Sequence, residues 1–211
     1  MGNAREAARK ASCQCRLKQI GLALHNYLSQ YGEFPPAYTV DADGKPMHSW
    51  RALILPYFEA GATPNYNLAE PWDSPANLKV IDQLPDIFRC PSDHHTAPGM
   101  TNYVAVVGDE TLWPNTSGRK AEEISDGLSN TIAVVEITGL EIPWTKPFDL
   151  EFAKMSFQIN SGSTTDIASP HVSGVNLLMA DGSVRYVPRE MEPSRVRALL
   201  TVAGGENTLP P

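Results

Sequence analysis

Between Cys13 and Tyr31 a series of apolar residues falls at Cys13, Leu17, Ile20, Leu24, Tyr27, Leu28 and Tyr31. Steps of four, three, four, three, one and three keep them on one stripe at about 100° per residue, so the segment reads as a helix with one greasy edge. That edge must be laid against another layer, and this constrains the whole chain. The expected helix covers residues 3–31. Gly32 ends it, and Phe34-Pro35-Pro36 prevents it from resuming. Its first turns, Ala4 to Lys10, are small and charged and read as solvated on all sides.

The same periodicity sorts the cysteines Cys13, Cys15 and Cys90. Cys13 lies on the stripe, whereas Cys15, about 200° further round, points away from it. A disulfide between Cys13 and Cys90 is therefore expected, pinning the helix to the loop Arg89-Cys90-Pro91-Ser92-Asp93 and leaving Cys15 unpaired. Such a bond belongs to an oxidising compartment; three free thiols in a reducing one is the competing reading. A zinc site is set aside, because Cys13-x-Cys15 has the wrong spacing and no second pair matches it.

Seventeen Lys and Arg against 24 Asp and Glu give a formal charge of −7, which argues against a phosphate-binding surface for nucleic acid. No apolar run approaches the roughly 20 residues of a membrane-spanning helix. Eighteen prolines in 211 residues break up long helices and favour short elements. Ser49 caps an expected helix from Trp50 to Phe58, limited by Pro56, and Ser74-Pro75 starts another through about Gln83. Tyr103–Val107 and Thr131–Ile137 read as strands. Val175–Ala180, Asp181-Gly182 and Ser183–Val187 read as a tight type I′ hairpin. A last helix is expected over Pro193–Ala203, before Gly204-Gly205 and a mobile tail over 204–211. With no repeat or linker, the chain reads as one α+β domain over 1–211.

Several uncommon motifs then occur in order. They are Ala4-Arg5-Glu6-Ala7-Ala8-Arg9, Leu17-Lys18-Gln19-Ile20-Gly21-Leu22-Ala23-Leu24-His25-Asn26-Tyr27 and Tyr31-Gly32-Glu33-Phe34-Pro35-Pro36. Ser49-Trp50-Arg51, Pro71-Trp72-Asp73-Ser74-Pro75, Phe88-Arg89-Cys90-Pro91-Ser92-Asp93 and Thr101-Asn102-Tyr103 follow. Asp126-Gly127-Leu128-Ser129-Asn130-Thr131, Glu136, Trp144-Thr145 and His171 ahead of Asp181-Gly182 complete the pattern. Together they resemble the planctomycete family of pilin-like proteins of unknown function, also labelled as a solute-binding family. Cys15-Arg16 departs from the family's usual Asn-Asn.

The resemblance implies a prepilin-type signal and an apolar helix of about 20 to 30 residues upstream, anchoring the protein in a membrane. It implies a pilin-like fold, the long helix packed on an antiparallel sheet with extensive loops, outside the cytoplasm at the cell surface or in the periplasm. The role it implies is a non-enzymatic pilin- or pseudopilin-like, surface or secretion-associated subunit that self-assembles through the helix, with a ligand-binding face. The alternative is a solute- or glycan-binding protein that uses aromatic loops. No cofactor, metal or nucleic-acid partner is expected.

Candidate ligand-binding residues are Trp72, Asp73, Asn102, Asn130, Glu136, Trp144 and His171. Trp72 and Trp144 lie near prolines or turns, where aromatic faces stack on sugars or simply fill loops. Asp73, Asn102 and Asn130 would supply hydrogen bonds. Glu136 sits inside an apolar strand, so it is either buried and paired or on a solvated face. His171, in a Ser- and Gly-rich loop, reads as a ligand or as a hydrogen-bonded anchor of that loop. Asp181 and Gly182 read as turn residues. Asp93-His94-His95 reads as a solvated loop and Asp41-Ala42-Asp43-Gly44 as a turn, neither having a second set of metal ligands. A hydrolase built on Glu136 and His171 ranks last and requires the two to meet in one cleft.

Overall fold

The computed structural model describes residues 2–58, 65–83, 86–171 and 173–205. The N-terminal helix α1 spans Gly2–Tyr31. Gly32, at φ 78°, ends it in the left-handed region that glycine enters without strain. Then come β1 (Tyr38–Val40), β2 (Pro46–Ser49), α2 (Trp50–Leu53) and α3 (Pro75–Leu78). The strands β3 (Tyr103–Val104), β4 (Val106–Val107), β5 (Ile132–Glu136) and β6 (Leu150–Glu151) follow. The chain continues through β7 (Gly174–Met179), β8 (Val184–Pro188) and α4 (Pro193–Leu200).

The principal sheet has the order β3-β5-β7-β8, every neighbour antiparallel. A β1–β2 hairpin and a two-residue parallel pair, β4–β6, stand beside it. The architecture is α+β. One face of the sheet, with Tyr103, Val134 and Leu178, shares a core with Cys13, Leu17, Ile20 and Leu24 of α1. The other face, with Val104, Val135, Val175, Leu177 and Met179, packs against Val196, Leu199 and Leu200 of α4. A strand covered on both faces has no solvated side, which is why β7 reads as a nearly unbroken apolar run.

Several boundaries differ from those the residues suggest. The 103–107 run is broken at Ala105, whose N–H donates to Asp149 Oδ1 at 2.7 Å while its carbonyl accepts from Leu150 N at 3.1 Å. α2 stops at Leu53 and gives way to a single 3₁₀ turn at Leu55–Tyr57, because Pro56 cannot continue the α-helical ladder. α3 ends at Leu78, with a separate turn at Ile81–Gln83, and α4 ends at Leu200. Tyr31, the last position of the α1 stripe, is 57% exposed. The N–H groups of Gly204 and Gly205 donate to the Asp126 carboxylate at 2.7 and 3.0 Å, so the start of the expected mobile tail is tied down. Residues 206–211 lie outside the described residues.

The β7–β8 connection is not a type I′ turn. Gly182 has φ 82°, but Asp181 is not in the positive-φ region that a type I′ turn demands. Met179 N donates to Ser183 O at 2.8 Å and Gly182 N to Met179 O at 3.0 Å. This is a three-residue loop, a type I turn closed by a glycine bulge. Asp181 Oδ1 accepts from Ser183 N at 2.9 Å, a turn-forming bond.

Candidate functional site

The site begins with an irregularity in β5. Ile132 pairs with Met179 and Val134 with Leu178, so β5 carries one residue more than its partner, a bulge at Ala133. The Ala133 carbonyl accepts from the Trp113 indole at 2.7 Å. Beyond the bulge, Val135 joins the α4-side core, and Glu136 turns to the α1 face opposite Tyr103. There Glu136 is fully buried, and Asn176 N donates to Oε2 at 2.9 Å and Asn176 Nδ2 to Oε1 at 3.2 Å. Gln14 of α1 in turn donates to Asn176 Oδ1 at 3.1 Å.

His171 completes a chain of acid–base groups. Its Nδ1 lies 2.6 Å from Glu6 Oε1, its Nε2 3.9 Å from Glu136 Oε1, and the same Nε2 3.7 Å from Cys90 Sγ. Cys90 is joined to Cys13 by a disulfide whose Cα atoms are 5.4 Å apart, and Cys15 is a free, exposed thiol. Glu6 also takes two bonds from Arg9, at 3.0 and 2.7 Å. Lys10 rests its Nζ 2.9 Å from the Tyr186 ring centroid. The first turns of α1 are therefore not solvated all round, since they dock polar side chains onto the domain. Glu6 and Asn176 are the members that the sequence did not mark. A lone glutamate in a charged turn carries no signal when its partner is 165 residues away.

The two carboxylates are driven in opposite directions. Burial pushes Glu136 above its usual range, against the hydrogen bonds of Asn176 and the nearby imidazole. Burial also acts to raise Glu6, but the bonds from His171 and Arg9 outweigh it and hold the group low. Burial pushes the Tyr103 hydroxyl well up, and the Glu136 charge adds to it. An imidazole between two carboxylates can carry a proton between them, and here it also faces a sulfur. Glu136 and His171 do meet, but at 0% and 2% exposure, not in an open cleft.

The remaining candidates are dispersed. Asn102 is buried and spent on structure: its Nδ2 donates to Asp93, Thr96 and Ile137, and its Oδ1 accepts from Cys90 N at 2.8 Å. Trp144 is 1% exposed, stacked on Phe88, with its indole N–H on the Ile81 carbonyl. It is a core residue, as are Trp50 and Trp113, so a surface of aromatic loops does not form there. Trp72 is half-buried, Asp73 exposed, and Asn130 donates to the Asp126 carbonyl at 3.1 Å. His94 and His95 are exposed, whereas Asp93 is buried and accepts from Asn102 and Thr138, both at 2.9 Å. Asp41 is a turn residue, Oδ1 accepting from Asp43 N and Lys45 N.

Away from the cluster, a cavity of about 480 Å³ opens beside β4 and β6, with Gly108, Asp109, Glu110, Glu151 and Phe152 in its wall. A family model described as Protein of unknown function (DUF1559), whose short name SBP_bac_10 carries a bacterial solute-binding label, matches residues 2–161. No curated protein and no solved structure matches the chain.

Proposed function

The chain belongs to the DUF1559 family of unknown function, and from that premise we propose a non-enzymatic, extracytoplasmic protein of the planctomycete pilin or pseudopilin type. In this reading an apolar segment continuing α1 anchors it in a membrane, α1 mediates assembly, and the loops far from the anchor face outward. The observation that carries it is the Cys13–Cys90 bond clamping a 30-residue helix onto an antiparallel sheet, because disulfides persist in oxidising compartments. The test is expression from the full-length gene in a native-type host, followed by fractionation and alkylation of unreduced, denatured protein. One reactive thiol in the envelope or surface fraction is the expected result. Three reactive thiols in the cytoplasmic fraction end the proposal.

The cavity beside β4 and β6 supports a second reading, solute binding, in keeping with the family's label. Its carboxylates and the Phe152 ring suit a polyhydroxylated or cationic solute rather than an anion. A ligand that binds only the folded state must raise apparent stability. A thermal-shift series with sugars, polyamines and divalent ions should give at least one rise that Glu151→Ala abolishes. A flat series removes solute binding and leaves the assembly reading standing.

A further inference from the structure

Cys13, Cys90, Glu136 and His171 each place a donor atom within 4.8 Å of every other, and all four residues are buried. We propose that, in the reduced chain, these residues are a tetrahedral site for a zinc ion, which the Cys13–Cys90 disulfide replaces on oxidation.

Two thiolates, an imidazole and a carboxylate are a donor set that zinc accepts. Around a tetrahedral ion, the standard bond lengths put sulfur and nitrogen about 3.6 Å apart and nitrogen and oxygen about 3.3 Å apart. The Nε2–Sγ and Nε2–Oε1 distances here are 3.7 and 3.9 Å. The surroundings supply independent support. Nδ1 of His171 is held by the Glu6 carboxylate at 2.6 Å, leaving Nε2 to face the cluster, the arrangement by which an outer carboxylate orients a metal-binding histidine. Glu136 is likewise held by Asn176. The four donors come from α1, the loop before β3, β5 and the loop before β7, so no short spacing betrays them.

The oxidised form cannot serve, since a disulfide offers no thiolate. Opening it takes two electrons and two protons; with a phosphine reductant, phosphorus(III) becomes phosphine oxide, taking its oxygen and releasing those protons from water. Zinc then displaces the two thiol protons as the two Zn–S bonds form. Oxidation reverses the order: the S–S bond closes, two electrons leave to an oxidant such as a disulfide oxidoreductase, and the ion is released. The site thus precedes the disulfide in the life of the chain, and the helix is clamped to the same loop by either link.

The experiment refolds the 211-residue chain from guanidinium under a phosphine reductant, without oxygen, in the presence of Co²⁺ alone. One Co²⁺ per chain with thiolate-to-cobalt charge-transfer absorption, displaced by Zn²⁺, is expected. The Zn²⁺ form should then resist iodoacetamide at Cys13 and Cys90 while Cys15 reacts. Cys15→Ser should leave the spectrum unchanged, and Glu6→Gln should preserve it while weakening affinity about 10- to 100-fold. His171→Asn should alter the spectrum itself. Absence of the charge-transfer band at stoichiometric Co²⁺, whether the reduced chain folds or not, overturns the proposal. Loss of the band in Cys15→Ser overturns it equally.

Discussion

Arg51 has 0% exposure and uses every donor it possesses. Nε donates to Trp144 O, Nη1 to Tyr103 O and Asp149 Oδ1, and Nη2 to Lys146 O and Phe148 O, at 2.8–3.2 Å. Asp149 repeats the pattern, accepting from Ala105 N and the Trp50 indole as well. Lysine has three donors on a flexible stem and cannot fill this fork. Arg51→Lys should cost about 3 kcal/mol, read from the urea midpoint. Glu136 makes a prediction in pH. Its folded pKa lies above the ordinary 4.5, so the folded state holds more protons than the unfolded chain over that window. Stability from the native carboxyl is therefore lost as pH rises from about 4.5 towards the raised value. Lys10, His171 and Tyr103 are the titratable groups that face Glu136, and all three are retained in Glu136→Gln. The variant should gain on the wild type by up to about 1.4 kcal/mol per pH unit through that window in urea melts. A constant difference across pH would contradict the assignment. Arg51 stood in the sequence only as part of a motif, because the loop carbonyls that consume its donors come from residues 93 to 97 positions further on.

At the scale of elements, α1 was the most legible feature, because its stripe is a local periodicity and the buried residues Cys13, Leu17, Ile20 and Leu24 follow it. The hairpin was legible as a hairpin but not in its loop. Asp-Gly suits both a two-residue turn and the last positions of a three-residue one, and the β7–β8 register decides between them. The apparent single strand at 103–107 divides because Asp149, far along the chain, captures the Ala105 N–H. Gly21 shows how closely the helix lies on the hairpin. A Cβ there would sit 2.9 Å from Leu178 Cδ1 and 3.2 Å from Gly182 Cα. Gly21→Ala should be near neutral, crowding being offset by about 1 kcal/mol of helix propensity. Gly21→Val, which drives a branched side chain onto the turn backbone, should cost about 2 kcal/mol in a denaturant titration. Equal stability of the two variants would mean that the helix rides higher than described.

For the molecule as a whole, one sheet separates two cores, and the large aromatics Trp50, Trp113, Trp144, Tyr103 and Phe88 all lie with α1. That side is also the one the disulfide closes. The bond spans 77 residues, so its removal frees the unfolded chain to an extent worth about 4 kcal/mol. A Cys13→Ser, Cys90→Ser double variant should unfold at correspondingly lower guanidinium, with its cooperativity preserved by the α4-side core. The site cluster itself was only half legible: Glu136 and His171 were paired only in the lowest-ranked reading, and nothing local said that they share a face. The reason lies in β5. Because strand side chains alternate, membership of a layer is a matter of parity, and Ala133 changes the count from even to odd midway along. Pairing the same residues in regular alternation, with no bulge at Ala133, would leave every chemical group intact. It would nonetheless send Glu136 to the far side of the sheet, away from the histidine and the sulfurs, and bring Val135 to face them instead.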